Sequence, residues 1–214
     1  MTKVKLIWTT PDPEVQIAFT ARVSNPKNQE NKNIEGLIKY CFRNGHWSIF
    51  EMSNMCVEVE CPCSIATQIL RHRSFCFQQF SQRYSSVDAD FTVPEFRSQD
   101  NKNRQNSIDN VDESIKDELG KEWEIHNLQT KNLYRKMLKS GIAKETARFI
   151  LPQNTYTRMY MNGNCRSYIH YLQVRLHKST QKEHREVALE IQKIFNKQFP
   201  IIGKILQDSL DEQV

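Results

Sequence analysis

The feature that most constrains this chain is an abrupt change of hydrophobic period at Pro62. Before it, Met55, Val57, Val59 and Cys61 alternate with Cys56, Glu58 and Glu60, the two-residue period of a strand with one buried face. After it, Ile65, Ala66, Ile69 and Leu70 recur at helical spacing. Proline cannot donate to a strand ladder but is well placed at a helix start, so Pro62 ends the strand and opens the helix. The fold must therefore accommodate a strand that runs into a helix without a linker.

The rest of the chain mixes both periods. Val4, Leu6 and Trp8 alternate as a short strand. Asp12-Pro13 opens a helix, with Asp12 as N-cap and Val15, Ala18, Phe19 and Val23 as the apolar face. A second helix is expected from about Ile34 to Arg43, burying Leu37, Ile38, Cys41 and Phe42 and stopping at Gly45. Residues 79–87 read as a strand, and 97–110 as an exposed polar loop. Val111, Ile115, Leu119, Trp123, His126, Thr130, Leu133 and Met137 step along a long amphipathic helix that breaks at Ser140-Gly141. A short helix then ends at Leu151, before Pro152. A strand over 155–161 is expected to end in an Asn162-Gly163 turn. Asn164 can cap a helix carrying Tyr168, Ile169, Leu172 and Leu176. Thr180-x-x-Glu183 reads as the capping box of the last helix, with Val187, Ile191, Ile194 and Phe195 on its face.

There is no regular βαβ rhythm, and no G-x-G-x-x-G or Walker loop. The expected fold class is α+β, a mixed or antiparallel sheet flanked by helices, with residues 1–214 forming a single domain. Any dinucleotide must be held in some way other than a Rossmann turn. The net charge of +5 suits anionic ligands, whether nucleotides, flavin phosphates or nucleic acid. No apolar run approaches the roughly 20 residues that span a bilayer, and the N-terminus lacks the apolar core of a secretory signal, which predicts a cytoplasmic protein. Cys41, Cys56, Cys61, Cys63, Cys76 and Cys165 fit neither a paired zinc frame nor a disulfide scaffold and are expected as reduced thiols. A metal pair at Cys61-Pro62-Cys63 lacks a second pair or a histidine tract.

Chemistry concentrates between Gln68 and Ser85. Gln68, Arg71, His72, Arg73, Gln78, Gln79, Ser81, Gln82, Arg83, Tyr84 and Ser85 form a dense donor surface. Guanidinium forks and a hydroxyl suit phosphate oxygens, and on a strand Ser81 and Arg83 would point to one face. A solvated basic edge does not need the interleaved Phe75, Phe77 and Phe80, but an RNA-stacking surface could use them. From these residues alone, a nucleotide site and a nucleic-acid surface both remain open.

Arg71-His72-Arg73, seven intervening residues, then Ser81-Gln82-Arg83-Tyr84-Ser85 resembles the defining motif of flavin-dependent thymidylate synthases. Further segments resemble that family in the same order: Ala21-Arg22-Val23-Ser24, Gly45-His46-Trp47-Ser48-Ile49-Phe50-Glu51, Ala147 to Pro152, Asn164-Cys165-Arg166-Ser167 and Leu172-x-x-Arg175. The chain departs from the family pattern at Gln79 (usually Glu), Ile49 (Pro), Met52 (His) and His170 (Asn). The rival with the same product, a thymidylate synthase with a cysteine nucleophile, is similar only at Pro62-Cys63, and Ser64 follows where that enzyme has His.

The resemblance implies a methyltransferase of dTMP biosynthesis. It would methylate dUMP with 5,10-methylenetetrahydrofolate as carbon donor and FAD, reduced by NADPH, as hydride donor, without an enzyme cysteine nucleophile. It also implies a homotetramer with shared active sites around a mixed sheet, and no nucleic-acid or membrane partner. For dUMP the family pattern points to Gln68, Arg71, Gln79, Ser81, Arg83, Arg148 and Arg175, with Arg175 as the catalytic group that favours ionisation of uracil N3. For FAD it points to Ser48, Glu51, Arg71, His72, Arg73, Gln79, Asn164, Arg166 and His170, and His46 is a candidate for folate or flavin. Arg166 and His170 are four apart and share a helix face. Arg166 and Arg175 are nine apart, half a turn out of phase at about 3.6 residues per turn, so they should serve different ligands or the same site from different subunits.

Overall fold

The period change at Pro62 folds as a strand that becomes a helix within one residue. The computed structural model describes residues 2–87 and 91–211. Strand β1 (Lys3–Thr9) is followed by helices α1 (Pro13–Ala21) and α2 (Glu35–Arg43), then strand β2 (Asn54–Pro62), helix α3 (Cys63–Ile69) and strand β3 (Cys76–Gln79). A two-residue hairpin, β4 (Ser98–Gln99) and β5 (Ser107–Ile108), precedes the long helix α4 (Glu113–Lys139) and the short α5 (Lys144–Ala147). Strand β6 (Tyr156–Asn164) and helices α6 (Cys165–Arg175), α7 (Lys182–Gln198) and α8 (Pro200–Asp211) complete the order.

The main sheet runs β1-β2-β6-β3, and each of its pairs is antiparallel. Its register separates the two faces. Val57 lies opposite Met161 and Leu6, and Val59 opposite Met159 and Val4, which builds the apolar side. On the other side Glu58 lies between Lys5 and Tyr160, and Glu60 between Lys3 and Arg158, so unlike charges meet across strands. Helices α3, α6 and α7 join the apolar side in one buried cluster that includes Ile65, Ile69, Tyr168, Leu172, Val187 and Ile191.

The second strand-to-helix junction was not expected in this form. Asn162-Gly163 makes no turn; β6 runs through both residues and ends at Asn164, whose side chain accepts the Ser167 N–H and caps α6. Glycine is required there by packing, since a Cβ at Gly163 would sit 2.4 Å from the Phe75 ring. Because β2 and β6 are antiparallel and each passes directly into a helix, α3 and α6 start from opposite ends of the sheet. The segment that follows α3 therefore meets the C-terminal end of α6, at His72 and Arg175.

Several expected faces are rotated. In α1 the buried residues are Glu14, Ile17 and Ala18, while Val15, Phe19 and Val23 are exposed. The reason is a carboxylate: Glu14 Oε1 accepts the Ile202 N–H at 2.8 Å and closes the open first turn of α8, a helix absent from the sequence-based expectation. Burial raises the Glu14 pKa. Asp12 adopts a left-handed conformation, φ 45°, and makes no side-chain cap. Leu70 lies beyond the end of α3 and is exposed. The strand expected over 79–87 does not form: β3 covers Cys76–Gln79 and shares only Gln79 with it, and the chain then turns with the Tyr84 and Ser85 N–H groups on the Ser81 carbonyl. The capping box at Thr180 does not form; Gln181 holds the N-cap position of α7 and the Thr180 hydroxyl goes to the Val174 carbonyl. In α4 the buried side is Asn127, Thr130 and Tyr134, and Ile115, Leu119, Ile125, Leu128 and Leu133 are exposed. The 97–110 segment is not wholly free, because it carries the small hairpin and Arg97 is pinned to Glu95 and Glu183.

Replacing Gly163 with Ala should cost about 1–3 kcal/mol in urea unfolding through overpacking against Phe75. Adding Phe75→Leu to that variant should recover part of the loss, and additive costs would contradict the contact.

Candidate active site

Where the segment after α3 meets the C-terminal end of α6, Arg175 Nε–H donates a hydrogen bond to His72 Nε2 at 2.8 Å. A guanidinium has no acceptor, so Nε2 must carry a lone pair and the imidazole proton sits on Nδ1. Burial, then the charge of Arg175, then that of His170, hold His72 down to about 4. The ring is therefore neutral near pH 7, and it stands edge-on to Tyr171 with centroids 4.9 Å apart. Behind it lies His184, fully buried on α7, with Nδ1 3.1 Å from Gln68 Oε1. Burial, then Arg175, then His72, push His184 down to about 3. The cluster thus keeps its cationic charge on the arginine.

A cavity of about 670 Å³ opens against the outer face of α6, lined by Trp47, Glu51, Ser74, Asn164, Arg166, His170 and Gln173 among others. Arg166 and His170 share this face, as their spacing predicts. Arg166 pairs with Glu51 at 2.5 Å, whereas Arg175 engages His72, so the two arginines occupy different surroundings. Asn164 spends its oxygen on the cap of α6, which leaves its amide N–H groups for the cavity. The cavity adjoins the His72 cluster, because His170 lines the one and its charge acts on the other.

A second cleft, about 880 Å³, is lined by Ser81, Arg83, Tyr84, Lys144 and Glu145 among others. Ser81 and Arg83 do reach one cleft, through the turn rather than along a strand. Arg83 donates from Nε and Nη2 to Glu145 Oε2 at 3.3 and 3.1 Å. Arg148 follows α5 with its guanidinium 5.9 Å from the Phe149 ring centre. Gln79, on the apolar side of the sheet, donates to Thr157 Oγ1 at 3.3 Å. Ser48, Arg71 and Arg73 are exposed, and so is His46, which rests edge-on against Tyr40.

Sequence reasoning missed His184, Tyr171 and Gln181. His184 stood in plain view, three residues before Val187 on the apolar face of α7, where a histidine is out of place. The cysteines offer little chemistry: burial raises the Cys63 pKa and pushes Cys61 up to about 12, and all six thiols are unpaired. Among the described residues no group of three or more His, Cys, Asp or Glu side chains is placed to hold a metal ion.

The family model described as thymidylate synthase complementing protein matches residues 5–201. The flavin-dependent thymidylate synthase of Synechocystis is 52% identical over 195 residues, covering 91% of this chain and 90% of that one. This chain belongs to the flavin-dependent thymidylate synthase family. A probable flavin-dependent thymidylate synthase of Paramecium bursaria Chlorella virus 1 is 50% identical, covering 90% of each chain. Among solved structures, the UMP/dUMP methylase PolB of Streptomyces cacaoi bound with 5-Br dUMP superposes with a TM-score of 0.86 at 26% identity, covering 97% of this chain and 95% of that one. The antiparallel α+β fold is thus shared with a nucleotide methylase. In flavin-dependent thymidylate synthase terms, the ordered motifs fall on the cavity at Glu51, Asn164 and Arg166, on the pair His72–Arg175, and on the cleft at Ser81 and Arg83.

The depressed histidines give a signed pH dependence. Between the unfolded value near 6.5 and the folded values of about 4 and 3, the unfolded state binds more protons, so stability falls as pH drops through that window. Glu14, with its raised pKa, acts in the opposite direction above its ordinary value of 4.5. Thermal melts at pH 7 and pH 5 should show a lower Tm at pH 5, and His184→Asn should shrink that difference by on the order of 5 °C. An unchanged difference would mean that His184 titrates normally.

Proposed function

We propose that this chain makes dTMP from dUMP by reductive methylation, with 5,10-methylenetetrahydrofolate as carbon donor and FAD, reduced by NADPH, as redox cofactor. The observation that carries the reading is the Arg175–His72 pair set beside a cavity walled by Trp47, Glu51, Asn164, Arg166 and His170. The donor set fits a flavin nucleotide: Arg166 offers a cation for pyrophosphate, Glu51 an acceptor for hydroxyls, Asn164 a free amide and Trp47 a flat wall. Ser48, Arg71, His72, Arg73 and Gln79 are the other residues assigned to it, with His46 left to folate or flavin. Bound there, the flavin supplies the hydride that completes the methyl group.

The protein binds and polarises. Gln68, Arg71, Gln79, Ser81, Arg83, Arg148 and Arg175 are assigned to dUMP, the arginine forks of Arg83 and Arg148 facing its phosphate. His72 Nε2 accepts a hydrogen bond from Arg175 Nε–H, which leaves the terminal amino groups of the guanidinium for the pyrimidine. A cation fixed there favours ionisation of uracil N3, and the negative charge raises electron density at C5. A neutral His72 is the right partner, since an imidazolium would push the guanidinium away. At Gln79 the amide serves where the family usually has a carboxylate.

A homotetramer with shared sites is part of this reading. Arg83 lines the cleft against α5 while Arg175 sits with His72, and α4 leaves Ile115, Leu119, Leu128 and Leu133 in water. Phe149 beside Arg148 is 82% exposed and Tyr84 beside Arg83 is 83% exposed, an arrangement suited to burial by another copy. Six unpaired thiols fit a cytoplasmic site of action, and no helix among the described residues is long and apolar enough to cross a membrane.

The purified protein is expected to be yellow, or to become so with added FAD, and to bind dUMP. A colourless protein that does neither would sink the reading. Arg175→Ala should lower dTMP formation about 10²-fold with flavin content retained, while Arg166→Ala should lose flavin. Arg83→Ala and Arg175→Ala proteins, each impaired alone, should regain activity when co-expressed, because mixed tetramers contain sites with both arginines intact. No recovery would place the two residues in the same subunit's contribution.

A further inference from the structure

We infer that His184 is a positioning residue for the ligand-facing amide of Gln68, the first donor of a hydrogen-bond relay that runs through Gln68 and Gln181 to the Glu183 carboxylate, which Arg97 holds from its other side. The inference rests on the assignment of Gln68 to dUMP made above.

The direction of the relay has one solution. Arg97, whose side chain is only 12% exposed, donates from Nη2 to Glu183 Oε1 at 2.6 Å. The second carboxylate oxygen, Oε2, accepts Gln181 Nε2 at 2.9 Å. An ionised carboxylate only accepts, so Gln181 must present nitrogen to Glu183 and oxygen to Gln68. Gln68 then turns Nε2 to the Gln181 oxygen at 2.6 Å and keeps Oε1 for His184 at 3.1 Å. An amide oxygen cannot donate, so the His184 proton is on Nδ1. Gripped at both atoms, the Gln68 amide retains one N–H for a ligand.

Packing alone does not account for a histidine at this position. His184 is fully buried beside Val187 and Ile191, and its Nε2 has no partner among the described residues. The Tyr171 hydroxyl, also fully buried, is in the same condition, with the two ring centres 5.9 Å apart. Burying such groups costs free energy that a leucine would avoid, and the bond to Gln68 is what the imidazole gains in return. The relay also ties the 97–110 segment to the site, because Arg97 belongs to that segment and holds Glu183.

The test uses five variants of the FAD-loaded protein and measures dUMP KM, kcat, Tm and flavin absorbance. His184→Leu should raise the KM for dUMP about three- to ten-fold, the worth of one hydrogen bond, with a smaller change in kcat. His184→Asn places an amide nitrogen where Nδ1 was and should restore most of the loss. His184→Gln places it where Nε2 was and should not. Glu183→Gln, nearer the surface, removes the acceptor that sets the relay's direction and should raise KM in the same sense. Asn no better than Leu, or a KM unmoved by Leu, would overturn the inference. Gln68→Ala separates the two readings. If it leaves dUMP KM unchanged, the assignment of Gln68 falls and the relay's role falls with it. If it raises KM while His184→Leu does not, the positioning role alone falls.

Discussion

Everything at the candidate site depends on the antiparallel pairing of β2 with β6. Each strand ends in a residue that also starts a helix, Pro62 in one and Asn164 in the other. With no loop to absorb slack, the register of the ladder fixes where α3 and α6 begin, and their lengths fix where they end. One residue of slip would exchange the buried and charged faces of β2 and turn the first residues of α3 away from the sheet. The meeting of His72 with Arg175, 103 residues apart, is thus set by backbone hydrogen bonds on the far side of the core.

The electrostatics follow from burial. A site for anionic nucleotides needs cations, yet cations crowded in a half-buried cluster repel one another. Here the arginines remain charged and the histidines among them are held neutral by desolvation and by those same arginines. His72 and His184 consequently act as directional hydrogen-bonding groups, each with a tautomer dictated by its partner. Elsewhere the charge is balanced pairwise: Arg166 rests on Glu51 and Arg83 on Glu145, contacts that a phosphate could exchange for its own oxygens.

Most of the fold was legible because periodicity reports burial. β1, β2, α2, α6 and α7 appear where the alternation or the helical spacing places them. The misreadings share a cause, which is that a local signal was outweighed by a distant contact. Asn162-Gly163 carries the pattern of a turn, but the glycine serves a ring from another part of the chain. Thr180 and Glu183 carry the pattern of a capping box, but Glu183 is claimed by Arg97. The apolar face assigned to α1 omitted Glu14, a residue no hydropathy rule would bury. α4 is the reverse case, a helix that leaves Ile115, Leu119 and Leu133 of its apolar stripe exposed among the described residues. The motif residues themselves were found through their order along the sequence, whereas His184 and Gln181 belong to no motif and became visible only through their contacts.

The bond from Glu14 to Ile202 spans 188 residues, nearly the whole chain. During synthesis, the carboxylate leaves the ribosome early and must wait for almost every other residue before its partner exists. Until then, settling α1 with that side inward would bury the carboxyl without its donor, at a cost in free energy. The sheet and the site-forming helices can assemble in the meantime, but the end of the barrier to misassembly comes only when α8 arrives. A nascent chain stalled just short of Pro200 would hold β1, β2 and β6 in full and still lack the donor that lets its first helix pack.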